Sequence, residues 1–307
     1  MMYQVFLSIL ETFIVFGVGA LAWKLKMIES GDLDKLSRLT LDLFFPMLTF
    51  STITRTFNPD HLSELWVMPL LGIAIMLFGA AVGWIFKRFM KSRGHGREGT
   101  FHHICAINNY VFLPIIVLQN IYGERHVALL LLMNVGSTIG FWTIGVATFT
   151  GGSSWKQTLK SIFSINIAAV VAALLVSFLG IPVPEALDYT FKYLGDITVP
   201  LMLVVIGVAL VGSFRGMLEN WYDMLLLSAV RLVLIPVALL LLLRLLPLPE
   251  EVCQVTAVVA LMPAASSSVL VAKRYGGDPD FAGRAIILTT LFSLGTIPLL
   301  MGIFLSS

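Results

Sequence analysis

Charge is scarce in this chain: Asp, Glu, Lys and Arg supply only 12% of its 307 residues, against about 25% in a soluble domain. With 58% hydrophobic residues and a mean hydropathy of +0.92, that scarcity excludes an ordinary water-soluble fold and points to a polytopic membrane protein. Cysteine is nearly missing too. Cys105 and Cys253 begin apolar runs that the topology below starts from opposite membrane faces, which excludes a disulfide within one chain. No Cys/His spacing suits a metal and no glycine-rich phosphate loop is present, so no metal or other cofactor and no direct drive by ATP is expected. His102 and His103 are adjacent, the wrong spacing for one helix face, and read as a solvated helix start. The net charge of +2 is too small to imply a nucleic-acid partner. The N-terminus carries no basic leader, and Glu11 interrupts its apolar run, so it reads as a first span rather than a signal peptide.

What the chain does have is two apolar stretches that carry helix breakers. Cys105–Gly123 holds two adjacent amides, Asn108 and Asn109, then Tyr110 and Pro114. Val258–Gly276 holds Pro263, then Ser266, Ser267 and Ser268, and ends in the same Tyr-Gly pair. A proline inside a helix removes a backbone hydrogen bond and clashes with the preceding turn. Hydrocarbon offers no water to repair that loss, so such backbone must be buried in protein or line a wet cavity. Matched broken helices in two halves are the sequence signature of a transporter site.

Apolar runs predict about ten spans, at roughly 4–23, 37–54, 65–86, 102–121, 127–149, 158–179, 187–211, 222–246, 253–274 and 282–304. The second half repeats the plan of the first. Asp42-x-x-x-Pro46 and Asp196-x-x-x-Pro200 lie 154 positions apart, and the Tyr-Gly pairs at 122 and 275 lie 153 apart. Glu11 and Asn166, each early in the first span of its half, are 155 apart. Five spans per half is an odd number, so the halves face opposite ways. The expected fold is therefore all-α, with two inverted five-helix repeats, residues 1–150 and 155–307, separated by a Gly-Gly-Ser-Ser turn at 151–154. Connections assigned to one face carry 15 Lys and Arg, those on the other face four, and Arg231 lies inside a span. By the positive-inside rule both termini are then non-cytoplasmic, in a plasma (inner) membrane.

The motifs Asn109-Tyr-Val-Phe-Leu-Pro114 with Tyr122-Gly123, Leu194-Gly-Asp-Ile-Thr-Val-Pro200-Leu with Gly207, and Met262-Pro263 through Tyr275-Gly276 resemble those of the auxin efflux carrier family. The family includes the plant PIN-FORMED exporters and bacterial members ascribed to malonate and other organic acids. The resemblance covers nearly the whole chain, with Leu291–Pro298 similar to the closing helix. It implies helices four and nine crossing at their prolines, a substrate site beside the crossing, an organic carboxylate as cargo, and a homodimer. The sequence departs from the family's habit in two places: Ile167 follows Asn166 where Asn-Pro is common, and Val111 stands where a small residue is usual.

These readings converge on a secondary transporter of a small organic anion, auxin-like or malonate-like, working by alternating access. The candidate substrate-binding residues are Asn108, Asn109, Tyr110, Pro114, Pro263, Ser266, Ser267, Ser268 and Arg231. Half-helix N-termini carry about half a positive charge and free N–H groups, which suits an anion. The bland alternative is that the prolines merely kink two helices and the hydroxyls repair the freed carbonyls. Asp42, Asp196 and Glu11 are candidate sites for coupling to H+ or Na+, because an intramembrane carboxylate costs about 2.5–3.5 kcal/mol on insertion scales. Arg231 is expected to pair with one of those acids or with the substrate carboxylate. A channel or receptor on the same fold is one alternative. An intramembrane aspartyl protease is another, but such enzymes need two aspartates sharing a proton, whereas inversion separates Asp42 and Asp196 by about 12 Å in depth. The 13 Met and 21 Phe are assigned mostly to lipid and core, with no ligand role.

Overall fold

Long apolar runs become helices in hydrocarbon because each segment must pair its own backbone N–H and C=O groups. A computed structural model of the protein describes residues 2–29, 31–57, 65–94, 96–150, 163–211 and 219–304. Among these residues twelve helices follow one another. They are α1 (Met2–Lys24), α2 (33–56), α3 (Val67–Phe89), α4 (Arg97–Ala106), α5 (Phe112–Ile121) and α6 (Glu124–Thr150). Then come α7 (Ile165–Phe178), α8 (Glu185–Val211), α9 (Trp221–Leu243), α10 (Glu250–Leu261), α11 (Ser268–Arg274) and α12 (Pro279–Phe304). Six of them, α1, α3, α6, α8, α9 and α12, are long and apolar enough to cross a membrane. The turn expected at 151–154, together with Lys156, Lys160 and Arg215, lies outside the described residues.

Proline sets where these helices depart from regularity. Its ring presses on the carbonyl four residues back and it has no N–H to donate. Ahead of Pro46, α2 relaxes through a wide turn at Thr40–Phe44, and ahead of Pro236, α9 does the same at Val230–Leu234. Ahead of Pro200, α8 is interrupted at Asp196–Ile197. Ahead of Pro114 the chain leaves the helix altogether, from Ile107 to Val111, and α5 begins at Phe112. The break expected at Pro114 thus falls before it. Pro114 itself sits in the first turn of α5, where the missing N–H is one of the groups that has no intrahelical acceptor anyway. The second interruption runs from Met262 to Ser267 and contains Pro263.

Close helix contacts rest on glycine. A Cβ at Gly19 of α1 would strike the Val204 carbonyl, and one at Gly207 of α8 would strike the Phe16 carbonyl, so the two helices give way to each other reciprocally. Gly79 of α3 makes the same room for the Cys105 carbonyl of α4. The adjacent histidines are not a solvated helix start. Because α4 begins at Arg97, they fall in its second turn, packed on α3 and α6. His103 is fully buried, with Nδ1 donating to the Gly145 carbonyl at 2.9 Å and Phe149 against its ring; His102 donates from Nε2 to the Ala80 carbonyl at 2.8 Å.

Candidate functional site

The two interruptions lie side by side. Asn108 and Ala264 form an isolated antiparallel bridge, and the Asn109 N–H donates to the Pro263 carbonyl at 2.8 Å. The Asn108 side chain adds a second tie, its Nδ2 donating to the Val259 carbonyl in the last turn of α10. The Ala264 N–H donates to Thr289 Oγ1 of α12 at 3.3 Å. These bonds satisfy part of the backbone that the two breaks free, which lowers the cost of unpaired peptide groups inside an apolar fold.

Beside this contact is a cavity of about 220 Å³. Asn108, Asn109, Tyr110, Ser266 and Ser267 line it, together with Asn134, Thr138, Asn166, Phe45, Phe112 and Met202. Among the described residues no charged side chain lines it. The side-chain carbonyl oxygens of Asn108, Asn134 and Asn166 are buried and have no hydrogen-bond partner among the described residues. For Asn108 the orientation is set by the bond from Nδ2 to Val259, so its Oδ1 is a true acceptor waiting for a donor. Helix α5 begins at the cavity with Phe112, whose N–H, like that of Leu113, has no acceptor within the helix.

A sequence profile of the family described as "Membrane transport protein" matches residues 4–301. The chain belongs to the auxin efflux carrier family. Its relatives include an uncharacterized transporter of Methanothermobacter thermautotrophicus, 23% identical across 95% of this chain and 96% of that one. The transporter YfdV of Escherichia coli K12 is 21% identical across 95% of both chains. The Arabidopsis thaliana protein PIN-LIKES 1 is 28% identical over 91 residues, 30% of this chain and 19% of its own. The protein is thus an integral membrane transporter.

Within this family member the expected site residues separate into three groups. Asn108, Asn109, Tyr110, Ser266 and Ser267 share the cavity; Pro114, Pro263 and Ser268 shape its rim from inside the backbone breaks and first turns without lining it. Asn134 and Thr138 of α6 and Asn166 of α7 join the cavity although they were not expected there. The spacing of Asn134 and Thr138, four apart on an apolar helix, was the available signal, since such residues share a face. Phe45, Phe112 and Met202 also line the cavity and form part of its apolar wall.

Among the described residues Arg231 pairs with no acid, and it does not line the cavity. It is fully buried and donates to three backbone carbonyls, those of Cys105, Ala260 and Met262. The carbonyls at the two helix ends carry partial negative charge and take the place a carboxylate was expected to fill.

The three candidate acids fall in two places. Glu11 and Asp196 line a second, larger cavity of about 470 Å³ together with Glu124, Lys192 and Asn120. Asn120 Nδ2 donates to Glu11 at 3.1 Å, and Lys192 reaches Asp196 at 3.2 Å. Asp42 is exposed and does not line this cavity. Asp42 and Asp196 share no cavity and do not form the shared-proton pair a protease requires.

Proposed function

We propose that the protein is a secondary carrier of a small organic anion that works by alternating access around the contact between the α4/α5 and α10/α11 interruptions. The observation that carries this reading is the cavity at that contact. It combines neutral donors and acceptors with the free N–H groups that open α5, and it sits where two broken helices support each other. Neutral donors together with a helix N-terminus can hold an anion without a fixed counter-ion.

The ten-span arrangement in two inverted halves belongs to the same proposal. Helix ends at Ala106 and Leu261 are 155 positions apart and restarts at Phe112 and Ser268 are 156 apart, matching the sequence repeat. Departures from α-helix before Pro46 and before Pro200 stand at equivalent places. Four ion pairs join distant segments: Arg55 with Asp188, Arg125 with Glu251, Arg97 with Asp278, and Arg284 with Glu219. Each links two connections that the ten-span count puts on one face, which favours that count and, with the Lys and Arg excess, termini outside the cytoplasm. The larger cavity then opens toward the outer face, and Glu11 and Asp196 are its candidate H+ or Na+ sites. A homodimer in the plasma membrane completes the reading.

Two measurements test it. Purified protein screened against small carboxylates, with and without sodium and across pH, is expected to gain thermal stability with at least one. Proteoliposomes are then expected to show saturable uptake and counterflow of that compound; unitary currents instead would make the protein a channel. Single cysteines replacing the exposed Leu245 and Met27, in a background lacking Cys105 and Cys253, should react with an impermeant thiol reagent from outside and inside respectively. Labelling of both from one side would overturn the ten-span count.

A further inference from the structure

Arg231 lines none of the cavities described, yet it holds the place where the two interruptions begin. Its guanidinium donates from Nη1 to Cys105 at 3.1 Å, from Nη2 to Ala260 at 3.0 Å and from Nε to Met262 at 3.2 Å. Cys105 lies in the last turn of α4, Ala260 in the last turn of α10, and Met262 is the residue that follows α10. The last four carbonyls of a helix have no partner within it, and the end as a whole carries about half a negative charge. Two such ends brought together amount to about one negative charge, which a single guanidinium balances without any carboxylate. Arginine alone offers five N–H donors in a rigid plane, so it can reach carbonyls on two helices at once. The wide turn at Val230–Leu234, forced by Pro236, contains Arg231.

We infer that Arg231 is a positioning residue that clamps the C-terminal ends of α4 and α10 into one unit and thereby fixes the register of the two interruptions. The links to the cavity are short. Cys105 precedes Asn108 by three residues, and Met262 adjoins Pro263, whose carbonyl receives the Asn109 N–H. Shifting either carbonyl would move the amides that line the cavity although Arg231 touches none of them. This inference rests on the bonds from the Arg231 guanidinium to the two helix ends and stands whether or not the cargo is an anion.

Backbone hydrogen exchange followed by mass spectrometry, on the full chain in lipid nanodiscs without any ligand, tests it. Lysine keeps the charge but is a single point on a flexible stem, so Arg231→Lys is the decisive variant. It is expected to melt close to the wild type while exchange rises at least tenfold in both 104–112 and 259–268, with other helices unchanged. A wild-type exchange pattern in either segment overturns the clamp, and so does a uniform rise across the whole protein. Gly79→Ala is the second variant, because its methyl group would displace the Cys105 carbonyl from the other side. It leaves Arg231 intact and is expected to raise exchange in 104–112 and, through the shared guanidinium, in 259–268. A rise confined to 104–112 would show that the two helix ends are held independently.

Discussion

Asn108 and Ala264 face each other as an antiparallel pair although they are 156 positions apart, with the neighbouring Asn109 N–H bonded to the Pro263 carbonyl at 2.8 Å. This bonding pattern makes 108 and 264 the closely spaced kind of pair, with Cα atoms about 4.5 Å apart. That separation lies within the range a disulfide spans. Cysteines at these two positions, with Cys105 and Cys253 replaced, should oxidise to an intramolecular disulfide in the membrane, visible as a mobility shift after proteolysis between the halves. Absence of the bond in folded protein would separate the interruptions.

Asn134 and Asn166 supply amides to the cavity without holding the backbone together. Replacing either by Ala should leave the melting temperature within a few degrees of wild type. Affinity for whichever carboxylate stabilises the protein should fall about three- to tenfold, the value of about one hydrogen bond. Asn108→Ala should do both kinds of damage, because it also releases the Val259 carbonyl; about 1–3 kcal/mol of stability is expected to be lost. Equal loss of stability in all three variants would assign the amides to the scaffold.

Glu11 and Asp196 share a cavity that Asp42 does not enter. Glu11→Gln and Asp196→Asn should therefore change the pH or sodium dependence of uptake, whereas Asp42→Asn should leave it as in the wild type. An Asp42→Asn effect equal to the other two would restore the symmetric pair suggested by the repeat.

Helices α1 and α8 touch through Gly19 and Gly207, each facing a carbonyl of the other. A larger residue at Gly207 meets the Phe16 carbonyl, which is backbone and cannot rotate aside. Gly207→Val should cost about 1–3 kcal/mol, the usual range for overpacking, measured as a lower unfolding temperature in detergent. Gly17→Val, two residues before Gly19 on α1 and with open space beside it, is the control expected to change little.

Much of this protein was legible before its structure. Hydropathy alone gave a helical membrane protein, since apolar runs near the length of a bilayer admit almost no other fold. Proline positions gave the irregular steps, because a proline acts on the carbonyl four residues back whatever surrounds it. Asn108, Asn109, Ser266 and Ser267 were identifiable as site candidates from polarity next to those breaks.

The rest depended on which segments meet. The sequence placed Arg231 inside a span and led to the expectation of an anionic partner, but its partners are three carbonyls from α4 and the end of α10, which no side-chain pattern announces. It determined that Glu11, Asp42 and Asp196 are costly in a membrane, but only packing brought Glu11 and Asp196 to one cavity and left Asp42 out of it. It left Asn134, Thr138 and Asn166 as scattered polar residues until packing brought α6 and α7 to the interruptions. Composition and periodicity act through the nearest residues in the chain and so fix helices and their faults. The electrostatic partners of a buried group are set by distance in space, and only the tertiary structure decides that.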